Sequence, residues 1–112
     1  MPSRPRWSLT QIKQLAADDH LLLTRRGCEY FETGAQAILE VKRLIANLTL
    51  GDFSQTAQLA KHLADIYGIK RDGAGWYLKL TVIEADKDET LLVISFHPLE
   101  HPLQTRGGKV SP

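Results

Sequence analysis

The sequence predicts a small α+β domain, because two segments have the periodicity of amphipathic helices and a third has the alternation of a β-hairpin. Ser8 can cap a helix over residues 8–17, where apolar side chains recur at helical spacing. Thr33 can cap a second helix. Its apolar stripe comprises Ala37, Ile38, Val41, Leu44, Ile45 and Leu48. Residues 76–97 alternate like two strands, and the short polar loop 85–89 between them indicates an antiparallel hairpin.

Two other stretches have less decided patterns. Residues 21–24 are short and apolar, as expected of a strand, and run into the pair Arg25-Arg26. Residues 53–70 place their apolar side chains acceptably on one helical face, so propensity favours a helix. The alternative is a pair of strands, roughly 53–59 and 63–70, and periodicity leaves this choice open.

Length and composition limit the classes of protein to consider. A chain of 112 residues with 43% apolar and 24% charged residues is typical of one globular domain. Residues 1–7 are expected to be a flexible leader, and the proline- and glycine-containing segment 98–112 a mobile tail. Cys28 is the single cysteine, which fits a reducing cytoplasm, and no apolar run is long enough to span a bilayer. No apolar segment follows the basic N-terminus, so we expect no signal peptide.

Charge alone does not indicate a nucleic-acid ligand. The formal net charge is only +1, whereas domains that bind nucleic acid are usually clearly basic. An ordinary solvated surface of mixed charge is the simpler interpretation.

The predicted hairpin would gather several reactive side chains on one face. If Glu84 pairs with Thr90, the strands bring together Tyr77 with His97, Lys79 with Ser95, and Thr81 with Val93. The other face is predicted to be core and carries Trp76, Leu78, Leu80, Val82, Leu92, Ile94 and Phe96. One end of the polar face then holds a phenol, an ammonium, an imidazole and a hydroxyl.

This set of groups suits the cleavage of RNA without a metal ion. In that reaction the 2′-hydroxyl attacks the adjacent phosphate, so a base must remove its proton and an acid must protonate the leaving 5′-oxygen. His97 can exchange a proton near neutral pH, Lys79 can stabilise or position the phosphate, and Tyr77 can donate a hydrogen bond or stack on a base.

Simpler interpretations of the same residues remain open. Tyrosine and lysine are common on the wet face of a strand, and His97 can simply mark the strand's end before a proline. His97 and His101 together would suggest a metal-dependent hydrolase, although the prolines around them argue for a tail. The neighbouring Lys61 and His62 are typical of a solvated surface.

Five segments, in the same order, resemble the MqsR family of bacterial type II toxins over about residues 8–97. They are the opening helix Leu9–Leu15, the helix end and Asp-Phe pair within Leu44–Phe53, the Asp65-Ile-Tyr67 strand, and the closing strands Tyr77–Ile83 and Leu92–Phe96. The resemblance implies a RelE-like fold, in which a small antiparallel sheet has its helices packed on one side. It also implies that residues 53–70 are strands.

The resemblance further implies an activity and partners. A protein of this family would be a metal-independent endoribonuclease that needs no cofactor, cleaves mRNA, and thereby inhibits translation and growth. A cognate antitoxin protein would neutralise it, and no membrane would be involved.

The family's functional residues fall on four positions of this chain. Its tyrosine falls on Tyr77, whereas the position of its lysine after the closing Ser-Phe is His97. A second lysine is replaced by Gln55, and its glutamine by Ala64. We therefore predict Tyr77, His97 and Lys79 as catalytic residues. The predicted RNA contacts are Gln55, Lys61, His62 and Arg25. The losses at Gln55 and Ala64 motivate the alternative of a catalytically weak or inactive toxin-like module that binds RNA or a protein partner.

Overall fold

The structure, a computed structural model, describes residues 4–112, which form three α-helices, a five-stranded sheet and a separate two-stranded sheet. The helices are α1 (Leu9–Ala17), α2 (Arg25–Cys28) and α3 (Gly34–Ala46). The strands are β1 (Leu21–Leu23), β2 (Phe53–Leu59), β3 (His62–Arg71), β4 (Ala74–Ala85), β5 (Asp88–Pro98), β6 (Leu103–Thr105) and β7 (Gly108–Val110). A short 3-10 turn, Leu50–Asp52, leads into β2.

The large sheet is mixed, which corrects the prediction of a purely antiparallel sheet. Its strand order is β1-β5-β4-β3-β2, and β1 runs parallel to β5, with Leu21 opposite Leu91. The other neighbouring strands are antiparallel. A parallel pair needs a crossover connection, and here the chain between β1 and β5 supplies it by way of the remaining strands and two of the helices. The α+β class itself is confirmed.

Both predicted helix caps are present. The Ser8 hydroxyl accepts a hydrogen bond from the backbone N–H of Gln11, and the Thr33 hydroxyl accepts one from Gln36. The apolar sides of α1 and α3 enter one core with the sheet. The largest fully buried members of that core are Tyr67, Phe53, Phe96, Ile12, Ile45, Leu48, Leu78, Leu80, Leu91, Val41 and Val93.

Residues 53–70 form strands, as the resemblance implied and as helix propensity did not. Leu59 pairs with His62 across a two-residue turn, where Ala60 has a φ of 45°. Every residue from 64 to 69 is buried, so β3 is covered on both faces. A strand covered on both faces has no polar side to mark its period, and helical spacing in such a segment is coincidental.

The β4–β5 hairpin has the predicted register at one end and a different one at the other. Tyr77 lies opposite His97, as expected, but a bulge after Lys79 shifts the pairing by one residue. Glu84 therefore pairs with Glu89 rather than with Thr90. The predicted loop 85–89 is wrong, because the strands continue to a tight two-residue turn in which Asp86 and Lys87 both have positive φ.

The bulge also changes which residues of β5 enter the core. One inserted residue reverses the alternation of faces, so Leu91 and Val93 are buried in the core. The prediction that Leu92 and Ile94 belong to the core is wrong, since both are only half-buried. The extra residue is Ile94, whose carbonyl oxygen accepts a hydrogen bond of 2.6 Å from the Thr24 hydroxyl.

Both ends of the described chain are attached to the sheet. The backbone N–H groups of Arg6 and Trp7 donate to the buried carboxylate of Asp65; residues 1–3 of the predicted flexible leader lie outside the described residues. From Pro98, where the sequence predicts a mobile tail, the chain forms the β6–β7 hairpin. This hairpin lies so close to Gly68 that a Cβ there would be 2.9 Å from Leu103 Cδ2.

The two faces of the large sheet differ in what they carry. We call the face with Tyr67, Leu78 and Phe96 the core face. The opposite face carries Tyr77, Lys79 and His97, and we call it the site face.

Candidate active site

The centre of the candidate site is the pair Tyr77 and His97 on the site face. Their ring centroids are 4.9 Å apart with an angle of 15° between the planes, so the rings are stacked. Both side chains are half-buried, so each stacked ring keeps part of its surface accessible to a ligand. The predicted meeting of a phenol and an imidazole on one face is therefore observed.

A cleft of about 280 Å³ opens beside this stacked pair. The cleft is lined by Tyr77 and His97 of the β4–β5 hairpin and by Arg26 of α2. Residues 99–103, the segment that leads from β5 into β6, complete the lining, and we call this segment the loop wall. A half-open cleft of this kind can admit an extended chain, which a closed pocket would exclude.

The loop wall is held in place at both of its ends. Leu99 is buried, and its backbone N–H donates to the carbonyl oxygen of Gly75 at 2.9 Å. Leu103 packs over Gly68, where only a hydrogen fits beneath it. The loop wall is thus fixed by contacts with β4, which also carries Tyr77, and with β3.

The environment of His97 selects one tautomer of its ring. Nδ1 lies 2.8 Å from the carbonyl oxygen of Pro98. A carbonyl oxygen can only accept a hydrogen bond, so Nδ1 carries the proton when the ring is neutral. The lone pair is then on Nε2, which is the nitrogen available to remove a proton from a bound substrate.

Tyr77 is held in its neutral, protonated form. Partial burial raises the pKa of its phenol, and the nearby positive charge of Arg26 lowers it by a smaller amount. Tyr77 is therefore a hydrogen-bond donor and a stacking surface at neutral pH, and it is not a base.

Positive charge surrounds the stacked pair. The ammonium nitrogen of Lys79 is 6.0 Å from the centroid of the Tyr77 ring. Lys79 pairs with Ser95, which is the next pair on this face of the hairpin. Arg26 borders the cleft itself. Glu100 is the one acidic residue among those that line it. Two cations and one anion make the site locally more basic than the near-neutral chain.

The predicted RNA contacts lie at different distances from the cleft. Gln55 is exposed and shares a row with Ile66 and Lys79, so it is on the site face. Two strand spacings place it about 10 Å from Lys79. Lys61 and His62 are at the β2–β3 turn, six residues along β3 from Gly68, which pairs with Tyr77. That separation is about 20 Å, so the structure does not bring them to the cleft.

Sequence reasoning missed three residues around the site. Arg26 lines the cleft, whereas its neighbour Arg25, the predicted contact, is not among the lining residues. Tyr30 is 55% exposed, and its ring centroid is 6.5 Å from that of His97. His101, which the sequence assigned to a tail, also lines the cleft. No local sequence signal marks His101, because its place in the cleft depends on the contacts of Leu99 with Gly75 and of Leu103 with Gly68.

The other constellations considered from the sequence do not assemble. Lys61 and His62 are exposed, as expected of a solvated surface, whereas the nearby Asp65 is fully buried and accepts a hydrogen bond of 2.6 Å from Thr56 Oγ1. Within residues 4–112 no three His, Cys, Asp or Glu side chains are grouped so as to hold a metal ion. Ala64 is buried in β3, and its methyl group cannot contact a ligand.

Comparisons with known proteins do not assign a family. No protein-family model matches the chain, and no curated protein matches it. In the part of the chain that the structure describes, no helix has the length and apolar character needed to cross a membrane.

Proposed function

We propose that this protein is a metal-independent endoribonuclease that cleaves mRNA, the toxin of a type II toxin–antitoxin pair. The observation that carries the proposal is the stacked Tyr77–His97 pair at an accessible cleft bordered by Arg26. The proposal includes a RelE-like arrangement with the helices packed on one side of the sheet. It also includes a cytoplasmic location and a cognate antitoxin that blocks the cleft.

Each group around the cleft has a role in this reaction. His97 Nε2 removes the proton of the 2′-hydroxyl, because its Nδ1 is occupied by the Pro98 carbonyl. Arg26 and Lys79 stabilise the added negative charge on the phosphorane. The Tyr77 ring stacks with a base beside the scissile phosphate.

The shape of the site favours single-stranded RNA. The rings of Tyr30, His97 and Tyr77 follow one another at centroid distances of 6.5 and 4.9 Å, with Tyr30 the most exposed. Unpaired bases can stack on such exposed aromatic surfaces, whereas bases inside a duplex cannot. Exposed Gln55 lies farther along the same face and can contact the next nucleotides.

The test is cleavage of a naked single-stranded RNA by the purified protein and by His97→Ala. Removal of a general base lowers rates by about 10²- to 10⁴-fold, so we expect a loss in that range. His20→Ala is the matched control, because His20 is exposed and lies beyond Leu21, at the opposite end of β5 from His97. Full activity of His97→Ala, or an equal loss in both variants, would contradict the assignment.

A second candidate is a toxin-like module that binds RNA or a protein partner without cleaving. It is favoured by Gln55 and Ala64, which replace a cation and an amide expected from the resemblance. Ala64 is fully buried and has no polar side-chain atom, so this position cannot supply the hydrogen bonds that an amide would make to a ligand. Binding of the RNA with no cleavage, together with normal growth when the protein is expressed alone, would support this candidate over the first.

A further inference from the structure

The geometry points to His101 as the general acid that protonates the leaving 5′-oxygen, an assignment that rests on the proposed ribonuclease function. His97, in β5, and His101, in the loop wall, line the same cleft. Base and acid must act on opposite sides of the phosphorus atom, because the attacking and leaving oxygens are in line. Two imidazoles that line one cleft from different segments of the chain can contact the two oxygens of a single bound phosphate.

The position of His101 is fixed although its ring is exposed. Two residues before it, Leu99 is buried and hydrogen-bonded to Gly75; two residues after it, Leu103 packs over Gly68. Pro102 further restricts the backbone next to His101. Within residues 4–112 no hydrogen bond occupies the His101 ring, so either nitrogen can approach a substrate oxygen.

The two histidines differ in the hydrogen bonds that their rings make. His97 donates from Nδ1 to the Pro98 carbonyl and presents a lone pair at Nε2, which suits a base. The His101 ring makes no hydrogen bond within residues 4–112, so either of its nitrogens can present an N–H to a substrate oxygen. The other charged or titratable groups that line the cleft are Glu100, Arg26 and Tyr77. The cleft thus offers a base on β5 and an acid on the loop wall.

The reaction balances with these two groups alone. His97 Nε2 takes the proton of the 2′-hydroxyl as the bond from the 2′-oxygen to phosphorus forms. The bond from phosphorus to the 5′-oxygen breaks, and the His101 imidazolium gives its proton to that oxygen. The products are a 2′,3′-cyclic phosphate and a 5′-hydroxyl. Exchange of one proton with water at each histidine restores the starting state.

The experiment compares two substrates with the same sequence. One is ordinary RNA, and the other has a sulfur atom in place of the bridging 5′-oxygen at the cleaved position. A thiolate leaves without protonation, so an acid catalyst is needed only for the oxygen substrate. We expect His101→Ala to cleave ordinary RNA about 10²- to 10³-fold more slowly than the unaltered protein and to cleave the sulfur substrate within about threefold of it. His97→Ala should be slow on both substrates.

The pH profile supplies a second readout that a merely structural role would not change. Two ionising groups give the unaltered protein a bell-shaped dependence of kcat/KM, and His101→Ala should lose the alkaline limb. An equal defect of His101→Ala on both substrates, or an unchanged pH profile, would overturn the assignment while leaving the ribonuclease function in place. No cleavage of either substrate by the unaltered protein would overturn the proposed function, and this assignment with it.

Discussion

Two tyrosines on neighbouring strands show how differently the two faces of the sheet are used. Tyr67 lies on the core face of β3, is fully buried, and its hydroxyl has no hydrogen-bond partner among the described residues. Tyr77 lies on the site face of β4, opposite Gly68, and is half-buried with its ring stacked on His97. Both residues are tyrosines, and they belong to neighbouring pairs of the β3–β4 ladder. The difference in their surroundings therefore comes from the face of the sheet on which each one lies.

The charges around the two hydroxyls reinforce the difference. Burial raises the pKa of both phenols. For Tyr67 the carboxylates of Asp65 and Asp52 raise the pKa further, whereas for Tyr77 the cation Arg26 opposes the effect of burial. The core face thus places a tyrosine where it stabilises the fold, and the site face places one where it can meet an anionic ligand.

The largest expected effect compares truncation of each tyrosine. Tyr67→Ala should lower the free energy of unfolding by about 3–5 kcal/mol, because it leaves a cavity in the core. Tyr77→Ala should lower it by only about 1 kcal/mol, since its ring is partly exposed. Urea denaturation measures both values. Equal losses would show that the site face is as much a part of the core as the other face.

Tyr77, whose truncation should change stability little, should matter much more when RNA cleavage is measured. A stacked aromatic ring contributes about 1–3 kcal/mol per base, so Tyr77→Ala should lower kcat/KM by about 10- to 100-fold. Tyr77→Phe keeps the ring and should stay within about threefold of the unaltered protein. A large loss in Tyr77→Phe would instead assign the hydroxyl, and not the stacked ring, as the essential feature.

The C-terminal segment packs on the site face at Gly75, which is on the same face as Tyr77, and a substitution at this glycine should disturb that packing. A Cβ there would be 2.2 Å from the Ser111 carbonyl oxygen and 2.7 Å from Leu99 Cδ1. Gly75→Val should lower the unfolding free energy by about 1–3 kcal/mol through overpacking and release the loop that carries His101. Gly34→Ala is the control, because a Cβ at Gly34 meets no atom within 4 Å. Similar stability of the two variants would contradict the described docking of the C-terminal segment.

The sequence was sufficient for the parts of the fold that local chemistry determines. Ser8 and Thr33 mark the starts of α1 and α3, because their side chains cap these helices. The pairing of Tyr77 with His97 follows from the alternation of side chains along the strands. The bulge after Lys79 was not predictable, because nothing local distinguishes one inserted residue from a longer loop. That residue moved Leu92 out of the predicted core.

The missed half of the site depends on tertiary contacts. His101 belongs to the cleft only because Leu99 and Leu103 dock on glycines of β3 and β4, a fit that sequence patterns do not express. Arg26 lines the cleft because α2 packs closely on β5. At the next residue, Gly27, a Cβ would be 2.7 Å from the Val93 carbonyl oxygen. Contacts between residues far apart in sequence therefore decided which charged residues border the site.

The smallest expected effect is a loss of stability at alkaline pH. The pKa of Tyr67 is raised in the folded state, so the unfolded chain ionises first once the pH passes about 10. Stability from this group is complete below that pH and is lost as the pH rises, by up to about 1.4 kcal/mol per unit. Tyr67→Phe should make the unfolding free energy fall less steeply with pH. Urea denaturation at a series of pH values between about 9 and 11 measures this slope. An unchanged slope would contradict the described burial of the hydroxyl.

The most direct test of the central claim is the chemistry of the RNA ends that the protein leaves. Incubation of the purified protein with single-stranded RNA in the presence of a chelator, followed by end-group analysis, should give 2′,3′-cyclic phosphates and 5′-hydroxyls. Those ends result only when the 2′-oxygen is the nucleophile, as the role proposed for His97 requires. Fragments with 5′-phosphates, or intact RNA after prolonged incubation, would contradict the account.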